Sequence, residues 1–291
     1  MNLLITGAWQ QAAEHFDEIR GMGHEIVFMQ QEKDDLPCDP AWVEGVICNG
    51  LFLFHPIEQF TNLRYLQLTS AGFDRVPMDY IQAHNIEIHN ARGVYSIPMA
   101  EFAVAGVLSI YKELGEFRDQ QKAHRWEKRR GLRELNGQTI LIVGCGSVGT
   151  ECAKRFRAFG CEVTGVDLAA REDEAYDRIA PLEELDSQLK RADVVVLAVP
   201  LTERTRGLID ARRFGLIHGV LVNISRGAVV DQRALENWDG EAVLDVFEEE
   251  PLDADSKLWD KENAVITPHN SFVGDGNNQR LSQLILDNLK R

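Results

Sequence analysis

Three stretches of the chain carry side chains of the kinds that bind carboxylates and move protons. NISRGAVVD (223–231) holds Arg226, DVFEEEP (245–251) holds Glu250 as the last of three consecutive glutamates, and TPHNS (267–271) holds His269. Arginine is a planar, permanently charged donor that matches a carboxylate. Histidine ordinarily titrates near neutrality, which suits a reversible proton carrier. Taken singly, each has a bland use: an arginine pairs or caps at the surface, a histidine ends a strand, an acidic run is a solvated face. Their positions say more. Each lies at or just past the carboxyl end of an expected strand, the edge where open α/β sheets bind their ligands.

The elements that must carry them come in two series. NLLIT (2–6), EIVFM (25–29), GVICN (45–49), RYLQLTS (64–70) and IEIHN (86–90) read as strands, with helical segments at AAEHFDEIRGMG and VPMDYIQAHN. A second series begins at TILIVG (139–144) and continues through EVTGVD (162–167), VVVLAV (194–199), GVLVNIS (219–225), AVLDV (242–246) and AVIT (264–267). Strands alternating with helices imply mainly parallel α/β sheets, and near-continuous Val/Ile/Leu runs suit a sheet covered on both faces. Between the series, PMAEFAVAGVLSIYKELGEF keeps a helical period through Met99, Phe102, Ala103, Val107, Ile110 and Leu114, and predicts one long bridging helix. The boundary falls near residues 91–98. A chain of 291 residues has room for about two domains.

The second series opens with a cofactor signal. In ILIVGCGSVGTECAKRFRAFGCEVTGVD, Gly144, Gly146 and Gly149 form G-x-G-x-x-G after a strand and at the start of a helix, and the next strand ends in Asp167, 23 residues past Gly144. Gly144 permits the tight turn, Gly146 the approach of a pyrophosphate to the backbone, and Gly149 close helix–strand packing. The pyrophosphate meets the N–H groups at the positive end of the helix. Asp167 is expected to accept from the adenosine ribose hydroxyls and to repel a 2′-phosphate, which favours NAD over NADP, although Arg171 follows four residues later. Gly7 follows the first strand without companion glycines, so the first series predicts a fold that binds no nucleotide.

Composition narrows the partners. A net charge of -15 disfavours nucleic acid and anionic membranes. The exception is KAHRWEKRRGLR (122–133), with six Lys or Arg, read as a solvated or subunit-contacting arm. The five cysteines form no C-x-x-C pair or Cys/His cluster, so neither a disulfide framework nor a metal site is expected. MNLLITGAWQ lacks a basic n-region, and no apolar run is long enough to span a bilayer, so a cytoplasmic protein is expected.

Over most of its length the chain resembles the D-isomer-specific 2-hydroxyacid dehydrogenases. The likeness is carried by SAGFD (70–74), NARGVYSIPMAEF (90–102), QQKAHRW (120–126), GCGSVG with Asp167, VPLTERTRGLID (199–210), NISRGAVVD, DVFEEEPL and SKLWDKENAVITPHNS (256–271). It implies two doubly wound parallel-sheet domains. One is a flavodoxin-like substrate domain (1–94, with 272–291 returning to it) and the other a Rossmann NAD-binding domain (95–271). It assigns the chemistry to Arg226, Glu250 and His269, and so singles out Glu250 from the acidic run. His269 as imidazolium would protonate the oxygen of a 2-oxoacid and take the proton back in oxidation. Glu250 would orient the ring, and Arg226 would grip the carboxylate and polarise the carbonyl. The N–H groups of Ala71 and Gly72 would also hold the substrate carboxylate. Ser147 and Val148 would touch the pyrophosphate; Asp245 and the backbone from Ile224 to Arg226 would hold the nicotinamide carboxamide. The site would lie in a cleft between the domains, and a homodimer is expected.

Substrate identity is less legible. Leu51, Phe52 and Phe54, in CNGLFLFHP (48–56), suggest an apolar pocket wall or simply core. Formate dehydrogenases share the fold but would place a glutamine where Glu250 stands. An alternative from another class is an NAD-sensing scaffold like the C-terminal binding protein corepressors, which keep the same three residues.

Overall fold

The structure is a computed structural model and describes residues 1–290. The chain divides into two compact units: Met1–Tyr95 with the segment from Gly274 onward, and Ser96–Val273.

In the first unit, β1 (Asn2–Thr6), α1 (Phe16–Gly21), β2 (Glu25–Met29), β3 (Gly45–Cys48), β4 (Tyr65–Leu68), α2 (Met78–Ala83) and β5 (Glu87–His89) follow in order. The five strands are all parallel in the order β2-β1-β3-β4-β5, the flavodoxin-like arrangement. Alternation of side chains sends Leu3 and Ile5 to one face and Leu4 to the other, and each face has its own core. Gly45 sits where a Cβ would meet Leu3 Cδ2 at 2.6 Å, so the sheet closes over a glycine there.

In the second unit, α3 (Ser96–Tyr111) and α4 (Leu114–Lys122) precede β6 (Thr139–Val143), α5 (Ser147–Ala158), β7 (Glu162–Asp167) and β8 (Arg178–Pro181). Then come α6 (Leu185–Leu189), β9 (Val194–Leu197), α7 (Ala211–Phe214), β10 (Val220–Asn223), α8 (Gln232–Glu236), β11 (Ala242–Leu244) and β12 (Ala264–Ile266). The seven strands are parallel in the order β12-β11-β10-β9-β6-β7-β8, a Rossmann sheet with one strand added at the β12 edge. Ile140, Ile142, Val194 and Val196 face a core shared with α3 and α5; Leu141, Val143, Val195 and Leu197 face the opposite core. Each fully buried aliphatic side chain contributes about 1.5–3 kcal/mol against exposure. The helix α3 lies so close to β11 that a Cβ on Gly106 would meet Val243 at 2.5 Å.

The last helix, α9 (Asn277–Leu289), belongs to the first unit. Leu281, Ile285, Leu286 and Leu289 complete the core around Leu3, Ile5, Trp9 and Ile19. Two buried polar bonds fix its register: Trp9 Nε1 donates to Ser282 Oγ at 2.9 Å, and Asn288 Nδ2 to Gln67 Oε1 at 2.8 Å.

One expectation from the sequence is corrected. The single helix through Leu114 is two helices, because Glu113 takes a left-handed conformation (φ 49°). The turn points Lys112 and Glu113 at the basic arm: Lys112 Nζ donates to the Arg133 carbonyl and Arg129 Nε to Glu113 Oε2, both at 2.5 Å. Leu114, placed by period on the apolar face, is exposed. The strand β8, RIAP, goes unmarked in the sequence reading; it is a short edge strand ending in proline, with Arg178 in solvent.

Candidate active site

The glycine loop occupies the carboxyl end of β6. Gly144 has φ +96°, and a Cβ there would meet the Ala198 backbone at 2.7 Å. A Cβ on Gly149 would lie 2.1 Å from the Gly144 carbonyl oxygen. Only glycine fits at either position. Gly146 is the N-cap of α5 and supplies no side-chain cap. The first backbone bond of that helix, Thr150 N to Gly146 O at 2.9 Å, leaves the earlier N–H groups, those of Ser147 and Val148 among them, without helical partners. This bare helix start beside a cramped glycine turn fits a pyrophosphate.

Asp167 ends β7 beside that loop. Its Oδ1 accepts from Leu168 N at 2.8 Å, and its Oδ2 from Cys145 N at 3.2 Å and Arg171 Nη1 at 2.9 Å. Burial works to raise this carboxyl, but the Leu168 amide and the Arg171 guanidinium outweigh it and hold Asp167 below its ordinary range. Gly165 clears the space beneath, since a Cβ there would meet Cys145 Sγ at 2.3 Å.

The three catalytic candidates all lie in the second unit. Arg226 follows β10, and its Nη1 donates to the Ser225 carbonyl at 2.8 Å. Gly227 lets this loop press onto the segment after β11: a Cβ there would lie 1.8 Å from the Phe247 carbonyl carbon. In that segment the Phe247 amide donates to Glu250 Oε1 at 3.0 Å, which aims Oε2 at His269 Nδ1, 2.6 Å away. The proton on Nδ1 thus faces a carboxylate, and Nε2 is left for another partner. Phe272 meets the His269 ring edge to face at 5.8 Å.

His269 has a left-handed backbone (φ 50°), and Asp245 is the residue that holds it there. Asp245 is fully buried, one position past β11. Its Oδ1 accepts from Thr267 Oγ1 and Asn270 N, both at 2.7 Å, and its Oδ2 from Ser271 N at 2.9 Å; its carbonyl accepts from His269 N at 2.8 Å. The sequence reading gave this carboxylate to the nicotinamide carboxamide. In the structure it has no exposed surface and takes three donors from the His269 loop. Ile224, named with it, has a buried side chain and offers only backbone.

In the first unit, Ala71 and Gly72 stand in the turn after β4. Asn90 Nδ2 donates to the Ala71 carbonyl at 2.6 Å and Ser70 Oγ to the Gly72 carbonyl at 3.1 Å, so the turn is held through its carbonyls. Of the suggested wall residues, Leu51 is buried, Phe52 packs on Phe60 with ring centroids 5.6 Å apart, and Phe54 is exposed.

A model of the D-isomer specific 2-hydroxyacid dehydrogenase NAD binding domain matches residues 104–271. The chain belongs to that family. It is 32% identical to the (S)-sulfolactate dehydrogenase of Chromohalobacter salexigens, over 81% of this chain and 79% of that one. It is also 32% identical to a glyoxylate reductase of Thermofilum pendens, over 78% of this chain and 71% of that one. Among solved structures, a D-isomer specific 2-hydroxyacid dehydrogenase family protein of Aeromonas salmonicida superposes with a TM-score of 0.82 at 29% identity, covering 99% of this chain and 94% of that one. A D-lactate dehydrogenase of Aquifex aeolicus, complexed with NAD and lactic acid, gives 0.81 at 25% identity with the same coverage. This dehydrogenase is an NAD-dependent oxidoreductase of 2-hydroxyacids and 2-oxoacids.

Two residues that position the dehydrogenase's site escaped the sequence reading. Gly227 was visible as a glycine beside Arg226, but its neighbour Phe247 is twenty positions away. Thr267 stood inside the quoted TPHNS stretch with nothing in its spacing to link it to Asp245. Among the described residues, no cluster of three or more His, Cys, Asp or Glu side chains is arranged to hold a metal, and no helix is long and apolar enough to cross a membrane.

Proposed function

We propose that His269 donates the proton in 2-oxoacid reduction and accepts it in oxidation, with Glu250 orienting the ring and Arg226 binding and polarising the substrate. The observation that carries this reading is the 2.6 Å contact from His269 Nδ1 to Glu250 Oε2. It fixes the ring by one nitrogen and leaves Nε2 for the substrate oxygen. When bound, NADH would supply the hydride that the carbonyl carbon takes up. His269 gives its proton to the oxygen, the 2-hydroxyacid forms, and the carboxylate of Glu250 supports the ring while it is charged. Arg226 has the fork geometry to hold the substrate carboxylate and draw electron density from the carbonyl. The amides of Ala71 and Gly72 are assigned to the same carboxylate.

For the cofactor, the bare first turn of α5 with Gly144, Gly146, Ser147, Val148 and Gly149 is assigned to the pyrophosphate, and Asp167 to the adenosine ribose. The backbone from Ile224 to Arg226 is assigned to the nicotinamide carboxamide. The substrate is proposed to be a short 2-oxoacid, since relatives of this chain are named for sulfolactate and glyoxylate. A cytoplasmic homodimer is proposed. The basic arm supports the dimer: Trp126 is 95% exposed on it, and a second copy of this acidic chain is its charge complement.

The test is NADH oxidation against 2-oxoacids from glyoxylate and pyruvate to sulfopyruvate and branched side chains. His269→Ala is expected to lower turnover by about a hundredfold or more while NADH binding persists. Turnover per bound cofactor that survives this substitution would remove His269 from the proton path.

A further inference from the structure

Arg171 is tied to the acceptor of the cofactor's ribose, and nothing so far uses it. It stands in the loop between β7 and β8, where its backbone forms an isolated antiparallel bridge with Ile179. Its Nη1 donates to Asp167 Oδ2 at 2.9 Å and its Nη2 to the Cys145 carbonyl, in the glycine loop, at 2.5 Å. The guanidinium therefore spans the two pieces that frame an adenosine ribose. A guanidinium has five N–H donors, of which these contacts use two. Its side chain is 43% exposed, so the remaining donors are open to a ligand.

A lone aspartate at this position excludes NADPH because its charge repels the 2′-phosphate. Here that charge is paired, and the cation that pairs it is the type of side chain that recognises phosphate by paired donors. Oδ1 of Asp167 accepts only the Leu168 amide, which leaves it capacity for ribose hydroxyls. Glu172, Asp173 and Glu174 follow Arg171 and oppose a further negative charge, so the balance is graded. We propose that Arg171 is a cofactor-specificity residue: it makes the ribose subsite permissive, so that this dehydrogenase binds and uses NADPH as well as NADH, with Arg171 donating to the 2′-phosphate. The proposal rests on Asp167 being the ribose acceptor.

Calorimetric titration with ADP-ribose and its 2′-phosphate isolates the subsite from the nicotinamide, and NADH and NADPH turnover complete the comparison. The wild-type protein is expected to bind the phosphorylated ligand within about tenfold of the unphosphorylated one. Arg171→Ala is expected to weaken the phosphorylated ligand by about tenfold more than the other. Arg171→Lys keeps the charge without the fork and is expected to fall between. A wild type that rejects the 2′-phosphate by about a thousandfold, or an Arg171→Ala protein with an unchanged ratio, overturns the proposal. If Asp167→Ala leaves ADP-ribose binding untouched, the ribose assignment itself fails, which is a different result from an unchanged ratio at Arg171.

Discussion

Glu250 and Asp245 lie five residues apart in one segment, yet the structure gives their carboxylates opposite circumstances. Glu250 is partly exposed and turns one oxygen to the His269 ring; Asp245 is sealed and turns both oxygens to backbone and hydroxyl donors. Their substitutions are expected to differ accordingly. Glu250→Gln should keep the loop in place and lower turnover by about tenfold or more, because the charged ring loses its counter-charge. Asp245→Asn should instead place an amide donor against the Ser271 N–H or the pair on Oδ1. A loss of about 1–3 kcal/mol in unfolding free energy together with a drop in kcat is expected, with NADH affinity retained. Fluorescence titration with NADH separates this from a cofactor contact: a large rise in Kd would assign Asp245 to the nicotinamide. The thiols give a residue-scale prediction in pH. Burial pushes Cys145 and Cys152 up to about 12 and Cys161 up to about 11, and raises Cys48 further. These groups stay protonated until the pH approaches those values, so a thiol reagent at mildly alkaline pH should reach the half-buried Cys38 first and the others only on unfolding. Rapid modification of Cys145 in the folded protein, located by peptide mapping, would contradict this.

At the scale of elements, the site depends on two close approaches. The loop after β10 touches the segment after β11 through Gly227, and that segment reaches past β12 through Asp245. Gly227→Ala is therefore expected to be severe, with a destabilisation of about 1–3 kcal/mol or more and loss of turnover, since the Cβ meets backbone that cannot swing aside. A thermal melt and a turnover assay equal to wild type would refute the contact. The same contacts explain what could be read in the sequence. The strands β1, β2 and β7 were visible to the residue because each is a mainly apolar or β-branched run that opens on a polar residue. The strand β8 was not, because an exposed arginine and a proline dilute its pattern. The residues Arg226, Glu250 and His269 could be nominated by type and by their places at strand ends. The contact between Glu250 and His269, and the clamp of Asp245 on Thr267, Asn270 and Ser271, arise from the parallel register of β11 and β12, which residue spacing along one chain does not encode.

For the molecule as a whole, each sheet has a point where its strand order reverses, and the second unit places its glycine loop there. In the Rossmann order, β6 and β9 are neighbours that run to opposite sides of the sheet in sequence, and the crevice opens at β6. In the first unit, Gly7 follows β1 without a glycine partner, and its place is cramped by Gln30, whose carbonyl oxygen would lie 2.4 Å from a Cβ. That unit depends on α9. A protein ending at Val273 would lose Leu281, Ile285, Leu286 and Leu289 from the core and strand Trp9 and Gln67 without their buried partners. It is expected to lose the cooperative unfolding of the first unit while the second still melts as a unit. Retention of both transitions in calorimetry would show that α9 is dispensable.

The bond between Trp9 and Ser282 joins residues 273 positions apart. During synthesis, the first sheet is made well before the helix that closes its core. The second unit has all its strands before α9 exists. The order of emergence and the order of completion are therefore inverted: residues 1–95 wait with an open apolar face until α9 emerges, and this interval is when a chaperone has something to hold.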